Sequence, residues 1–141
     1  MTDYGKKAEA LFVSGMNCAQ SVFSAFAEEF GMEAELAAKV SVGLGGGVGR
    51  MREVCGAVTG AALVLGLKYG PDKTAVYAKV QDFIAEFKAE TGAILCRDLL
   101  ANTNATTGGA PEARTAEYYR KRPCAELVRL AAEILAKKLE A

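Results

Sequence analysis

The chain has 141 residues, 51% of them apolar, which excludes a disordered reading and suffices for one domain spanning 1–141 to bury a core without disulfide staples. Lys plus Arg and Asp plus Glu number 17 each, so no net field draws it to nucleic acid or to an anionic membrane, and neither is an expected partner. There is no histidine, which removes Ser–His and Cys–His nucleophile pairs, His-ligated catalytic zinc and Cys-x-x-Cys-His haem attachment.

In chain order, Thr2 to Val13 reads as a first helix with Ala8, Leu11 and Phe12 on one side, broken by Gly15. The segment has no apolar stretch after a basic start, so no secretory signal is expected and the cytosol (a cytoplasmic location) is the default. Asn17 followed three residues later by Gln20 is a variant of the capping box. The second helix carries Cys18, Val22, Phe26 and Phe30, and Gly31 stops it. Glu33 to Leu44 reads as a third helix, although Val40-Ser41-Val42 has the pattern of a short strand.

A glycine cluster follows, Gly43, Gly45, Gly46, Gly47 and Gly49, and then a helix over Glu53 to Lys68 that is apolar on nearly every side. Such a helix belongs in the middle of a bundle. Its apolar run, Gly56 to Leu67, falls well short of the roughly 20 residues of a membrane span. Tyr69-Gly70-Pro71-Asp72 stops and restarts the chain. The next helix, Lys73 to Glu90, puts Val76, Val80, Phe83, Ile84 and Phe87 on one face and ends at Thr91-Gly92. Ile94 to Ala101 reads as one or two further turns, and Ala101 to Ala113 has loop composition. A last helix starts after Pro123 and runs to Glu140 with Leu127, Leu130, Ile134 and Leu135 inward. The expected fold is an all-α, single-domain helical bundle of about five to seven helices.

The chemistry rests on four cysteines, Cys18, Cys55, Cys96 and Cys124. A free cysteine is often no more than a small buried hydrophobe. Here each falls at or near a predicted helix start, where unpaired N–H groups favour a thiolate, the form that is both nucleophile and metal ligand. Basic residues add to this: Arg50 and Arg52 before Cys55, Arg97 after Cys96, and Arg120, Lys121 and Arg122 before Cys124. Successive cysteines are separated by 36, 40 and 27 residues, with no Cys-x-x-Cys, so neither a zinc-ribbon nor a ferredoxin signature is present. Any shared site must be assembled by the fold.

The glycine cluster is the second candidate, with Gly45, Gly46, Gly47, Gly49 and Arg50 as cofactor- or substrate-binding residues. It fits neither G-x-G-x-x-G nor a P-loop. It is either a joint between packed helices or a place where backbone approaches a cluster, an anion or a substrate beside Cys55.

The chain resembles the C_GCAxxG_C_C family, to which a redox role is ascribed. The resemblance lies in Gly15-Met16-Asn17-Cys18-Ala19-Gln20-Ser21, Gly45-Gly46-Gly47-Val48-Gly49-Arg50, Cys55-Gly56-Ala57-Val58-Thr59-Gly60, Gly66-Leu67-Lys68-Tyr69-Gly70, Cys96-Arg97-Asp98-Leu99-Leu100 and Cys124. One difference is that this chain reads Cys-Gly-Ala-x-x-Gly where the family name has Gly-Cys-Ala-x-x-Gly. A similar domain accompanies haem in split-Soret cytochromes, in association with an iron–sulfur centre. The haem has no counterpart here, whereas a cluster on the four cysteines does.

The resemblance thus implies a redox-active or electron-transfer protein, an oxidoreductase if it is an enzyme, with its own redox partner. Its cysteines serve as iron–sulfur ligands or as a reversible dithiol/disulfide. The alternative is a helical small-molecule-binding or interaction module with structural cysteines or structural zinc. In that reading the apolar helix and glycine loop form a pocket or a homodimer interface.

Overall fold

The computed structural model describes residues 2–140, and eight α-helices account for most of them. They are α1 (Tyr4–Val13), α2 (Cys18–Ala27), α3 (Ala34–Val42), α4 (Gly56–Tyr69), α5 (Lys73–Thr91), α6 (Cys96–Leu99), α7 (Ala116–Lys121) and α8 (Cys124–Glu140). No strand occurs among the described residues, and Val40-Ser41-Val42 is helical, with the buried Ser41 hydroxyl donating back to the Ala37 carbonyl at 2.7 Å. The fold is an all-α bundle, as expected. The helix count exceeds the expected one through α7, of six residues; α6, of four, is the short helix expected within Ile94 to Ala101.

Local signals set most boundaries. Asp3, Asn17, Asp72 and Thr115 cap α1, α2, α5 and α7 through side-chain oxygens. At α2 the capping box is complete: Gln20 N donates to Asn17 Oδ1 at 2.9 Å and Asn17 N to Gln20 Oε1 at 3.0 Å. Gly31 and Gly92, both left-handed, end the α2 extension and α5.

Two boundaries differ from expectation. The central helix starts at Gly56 rather than Glu53, because the preceding residues pair with the approach to α6. Val54 and Leu95 form an isolated antiparallel bridge, in which Cys55 N donates to the Ile94 carbonyl at 2.8 Å and Cys96 N to the Glu53 carbonyl at 2.6 Å. That ladder consumes the backbone groups a longer helix would have used. The second difference is α7, in a stretch with no apolar periodicity, which Thr115 caps and Tyr118 and Tyr119 anchor to the core.

The core is built on Phe12, Phe23, Phe26, Phe83, Phe87, Leu65 and Leu135, all essentially without exposure. Each fully buried large side chain contributes about 1.5–3 kcal/mol. α4 lies in the middle and packs closely on α2. A Cβ on Gly56 would stand 2.8 Å from the Ala19 nitrogen, and one on Gly60 2.7 Å from the Ala19 carbonyl oxygen. Only glycines permit that approach, and it sets the start of α2 beside the start of α4. α1 packs along α8, where a Cβ on Gly5 would meet Glu133 at 2.7 Å.

Candidate functional site

The four cysteines are delivered by four different helix starts. Cys18, Cys96 and Cys124 are the first residues of α2, α6 and α8, and Cys55 immediately precedes α4. Three contacts bring those starts together. The Gly56/Gly60 approach to Ala19 joins Cys18 to Cys55, and the Val54–Leu95 bridge joins Cys55 to Cys96. The third is between Cys18 and Cys124, whose thiols act on each other, Cys18 being pushed up and Cys124 down. All four line one cavity of about 60 Å³, closed by Phe12, Leu100 and Leu127 on its apolar side. Cys55, Cys96 and Cys124 are only 4%, 7% and 7% exposed, and all four are reduced.

The thiols are not equivalent. Cys124 is held below the ordinary thiol range, first by the hydrogen bond from Cys18 and then by Arg122, Arg114 and Arg52. Cys18 is pushed up, chiefly because it is the partner that keeps the proton, and further by burial. Burial raises Cys55 to about 12, although the Ala57 and Val58 N–H groups act against it. A favoured thiolate is thus found at Cys124, through Cys18 and the arginines, whereas the Cys124 thiol and then burial oppose it at Cys18, and burial opposes it at Cys55. Arg52 Nη1 donates to Cys96 Sγ at 3.5 Å.

The glycine cluster forms the cavity's other wall. Gly46, Gly47, Val48, Gly49 and Arg50 are consecutively left-handed, with φ between 59° and 71°. Such a run strains any residue with a Cβ, at roughly 1–2 kcal/mol each. Gly47 sits so close to the cysteines that a Cβ would stand 2.7 Å from Cys96 Cβ and 2.6 Å from the Glu53 nitrogen. Gly46 and Gly47 line the cysteine cavity. Gly45, Gly46, Gly49 and Arg50 line a second cavity of about 320 Å³ next to it.

The sequence reading noted Arg52 and Arg122 only as neighbours of cysteines, and it missed Arg114, Tyr118 and Glu112. Arg52 and Arg122 are 7% and 9% exposed. Arg114 spans the site, donating to the Phe12 and Met16 carbonyls at 2.9 Å each, with its guanidinium 4.2 Å from the Phe12 ring centre. Glu112 meets Arg122 at 2.7 Å, Arg50 at 3.6 Å and Arg52 at 3.8 Å. These arginines hold its carboxyl below the usual range, Arg122 most strongly. The run Pro111-Glu112-Ala113-Arg114 lies in a segment without periodicity, so nothing in the sequence marked it.

As a donor set, four thiols around one cavity are the chemistry of thiol–disulfide exchange and of soft-metal ligation. Among the described residues no three Cys, Asp or Glu side chains come together as ligands of one metal ion. Among the described residues no helix is long and apolar enough to cross a membrane. No curated protein and no solved structure matches the chain. Residues 16–138 match the family described as "Putative redox-active protein (C_GCAxxG_C_C)". That span includes every cysteine of the cavity and the whole glycine turn, and the chain belongs to the C_GCAxxG_C_C family.

Proposed function

We propose that this protein is a thiol-based redox protein in which Cys124 and Cys18 interconvert between dithiol and disulfide. The observation that carries the reading is that four helix starts place four cysteines on one cavity; the opposite shifts of Cys18 and Cys124 support it. Cys124 is the attacking thiolate: it opens the 17-residue helix α8 and has Arg122, Arg114 and Arg52 around it. Cys18 is the resolving thiol: once the Cys124 thiolate has attacked the oxidant, Cys18 loses its proton and its thiolate attacks Cys124 Sγ. Forming the disulfide passes two electrons to the acceptor and frees the Cys18 proton. Cys55 stays protonated at neutral pH and Cys96 is held by Arg52, so both line the cavity as partners of the active pair.

The test is thiol counting by mass spectrometry after equilibration in redox buffers. Two thiols should be lost together, in a peptide linking residues 18 and 124, and Cys124→Ser should abolish the loss. A disulfide confined to Cys55 and Cys96, or no two-thiol change, would overturn the assignment.

A second reading shares the same residues. Cys18, Cys55, Cys96 and Cys124 would hold a [2Fe–2S]-type cluster, which would supply one-electron transfer. The common cavity favours it, and iron with sulfide in anaerobically purified protein selects it. A binding or interaction module with structural cysteines would instead keep its ligand or partner when all four are replaced by Ala.

A further inference from the structure

The larger cavity beside the cysteines carries an excess of buried positive charge. Arg50, Arg52, Arg114 and Arg122 line it with a single carboxylate, Glu112. Three of these guanidinium side chains are 13%, 8% and 6% exposed (Arg50, Arg52 and Arg122), and all three converge on that one carboxylate. Buried guanidinium groups are normally matched by carboxylates or phosphates, because an uncompensated buried charge costs several kcal/mol. Arg50 Nε is buried without a hydrogen-bond partner. On the same wall, among the described residues, the N–H group of Gly46 donates to no acceptor. The left-handed turn it belongs to is the kind of backbone concavity that accepts anions. Asn17, Gly46, Arg52, Arg114, Tyr118 and Arg122 belong to both cavities, so a ligand in the larger one abuts the thiols.

We infer that this second cavity is a recognition site for the carboxylate of an anionic low-molecular-weight disulfide, which the Cys124/Cys18 pair reduces. Its size, about 320 Å³, is at the lower end for small-molecule sites. Glu112 shows what the site accepts: its Oε1 lies 2.7 Å from Arg122 Nη2 on a loop, and the ligand's carboxylate takes its place. The chemistry rests on the dithiol reading above. The Cys124 thiolate attacks one sulfur of R–S–S–R, forming a mixed disulfide and releasing R–S⁻. Cys18 gives its proton to that thiolate and attacks Cys124 Sγ, releasing the second R–S⁻. The pair loses two electrons, the substrate disulfide gains two, and the products are R–SH, R–S⁻ and the Cys18–Cys124 disulfide.

Three disulfides of similar size test this: dithiodipropionate (anionic), bis(2-hydroxyethyl) disulfide (neutral) and cystamine (cationic). At physiological ionic strength the reduced protein should be oxidised at least roughly tenfold faster by the anionic probe than by the neutral one, and slowest by the cationic one. Arg52→Gln and Arg122→Gln should level the three rates, and Glu112→Gln should increase preference for the anion by removing its competitor. Binding is measured separately in the protein with all four cysteines replaced by Ala, where no exchange can occur, by titrating dithiodipropionate and following the Gly46 amide resonance. Saturable shifts there support the site even if the wild type is not oxidised, an outcome that would sink the dithiol reading alone. Equal, measurable oxidation rates for all three probes in the wild type, or an absence of saturable shifts at the Gly46 amide, would overturn the site itself. Because the resonance is read with all arginines in place, the test survives any Arg variant that fails to fold.

Discussion

Gly47 is where the fold and the cysteine site constrain each other most tightly, and replacing it by Ala separates two physical costs. Its φ is +71°, so a Cβ is strained wherever the neighbours stand, by roughly 1–2 kcal/mol. That Cβ would also lie 2.6 Å from the Glu53 nitrogen, 2.7 Å from Cys96 Cβ and 2.8 Å from Arg52 Cα. Two of those atoms are backbone and cannot swing aside, so overpacking adds about 1–3 kcal/mol. Gly49→Ala isolates the first cost, because Gly49 is left-handed too, at +59°, but has nothing within 4 Å of its would-be Cβ. Thermal unfolding should show a loss of about 3–6 °C for Gly49→Ala and about 6–15 °C for Gly47→Ala. Relief of the clash requires the turn and the Val54–Leu95 bridge to part, which uncovers Cys96. Its labelling by a neutral maleimide should therefore accelerate in Gly47→Ala and stay unchanged in Gly49→Ala. Equal melting losses, or no difference in Cys96 labelling, would refute the claim that close backbone approach at Gly47 builds the cavity.

Three further outcomes are expected. The pH profile of iodoacetamide alkylation should place Cys124 below an ordinary thiol; Cys18→Ala should move it up and slow its alkylation at pH 7, and an unshifted Cys124 would contradict the influence of Cys18 on it. Cys55, raised to about 12, stays neutral in the folded state while the unfolded thiol ionises near pH 8.5, so stability is full below about 8.5 and falls as pH rises toward 12. By pH 10 that group alone removes about 2 kcal/mol, so urea midpoints measured against pH should fall more steeply for wild type than for Cys55→Ala, and parallel curves would discount its burial. Gly60→Ala, aimed at the Ala19 carbonyl oxygen from 2.7 Å, should destabilise by about 1–3 kcal/mol, whereas Gly66→Ala, with open space, should stabilise by about 0.5–1 kcal/mol; the reverse order in denaturant titrations would remove the α2–α4 contact from the account.

The basis of legibility differs from element to element. The Asn17/Gln20 box, the Gly31 and Gly92 stops and the apolar face with Phe83 and Phe87 are local patterns, and each reads directly from spacing. The start of α4 was misplaced by three residues because a non-local bridge to Leu95 competes with the helix there. α7 and the Arg114–Glu112 pair lie in a segment without periodicity, where only contacts to distant residues fix conformation.

By itself, the sequence determined an all-α fold, four cysteines at helix starts and the exclusion of imidazole chemistry, since these follow from composition and from interactions within one or two turns. Only the tertiary structure decided that the four starts meet at one cavity, that Cys124 rather than Cys55 carries the lowered pKa, and that four arginines gather beside it. The reason is physical: desolvation, thiol–thiol coupling and charge convergence depend on which residues approach from distant parts of the chain, Cys18 and Cys124 having 105 residues between them. That approach is set by glycines such as Gly56, Gly60 and Gly47: the small residues at 56 and 60 mark a close approach in the sequence, but which neighbour each one meets is decided by the fold.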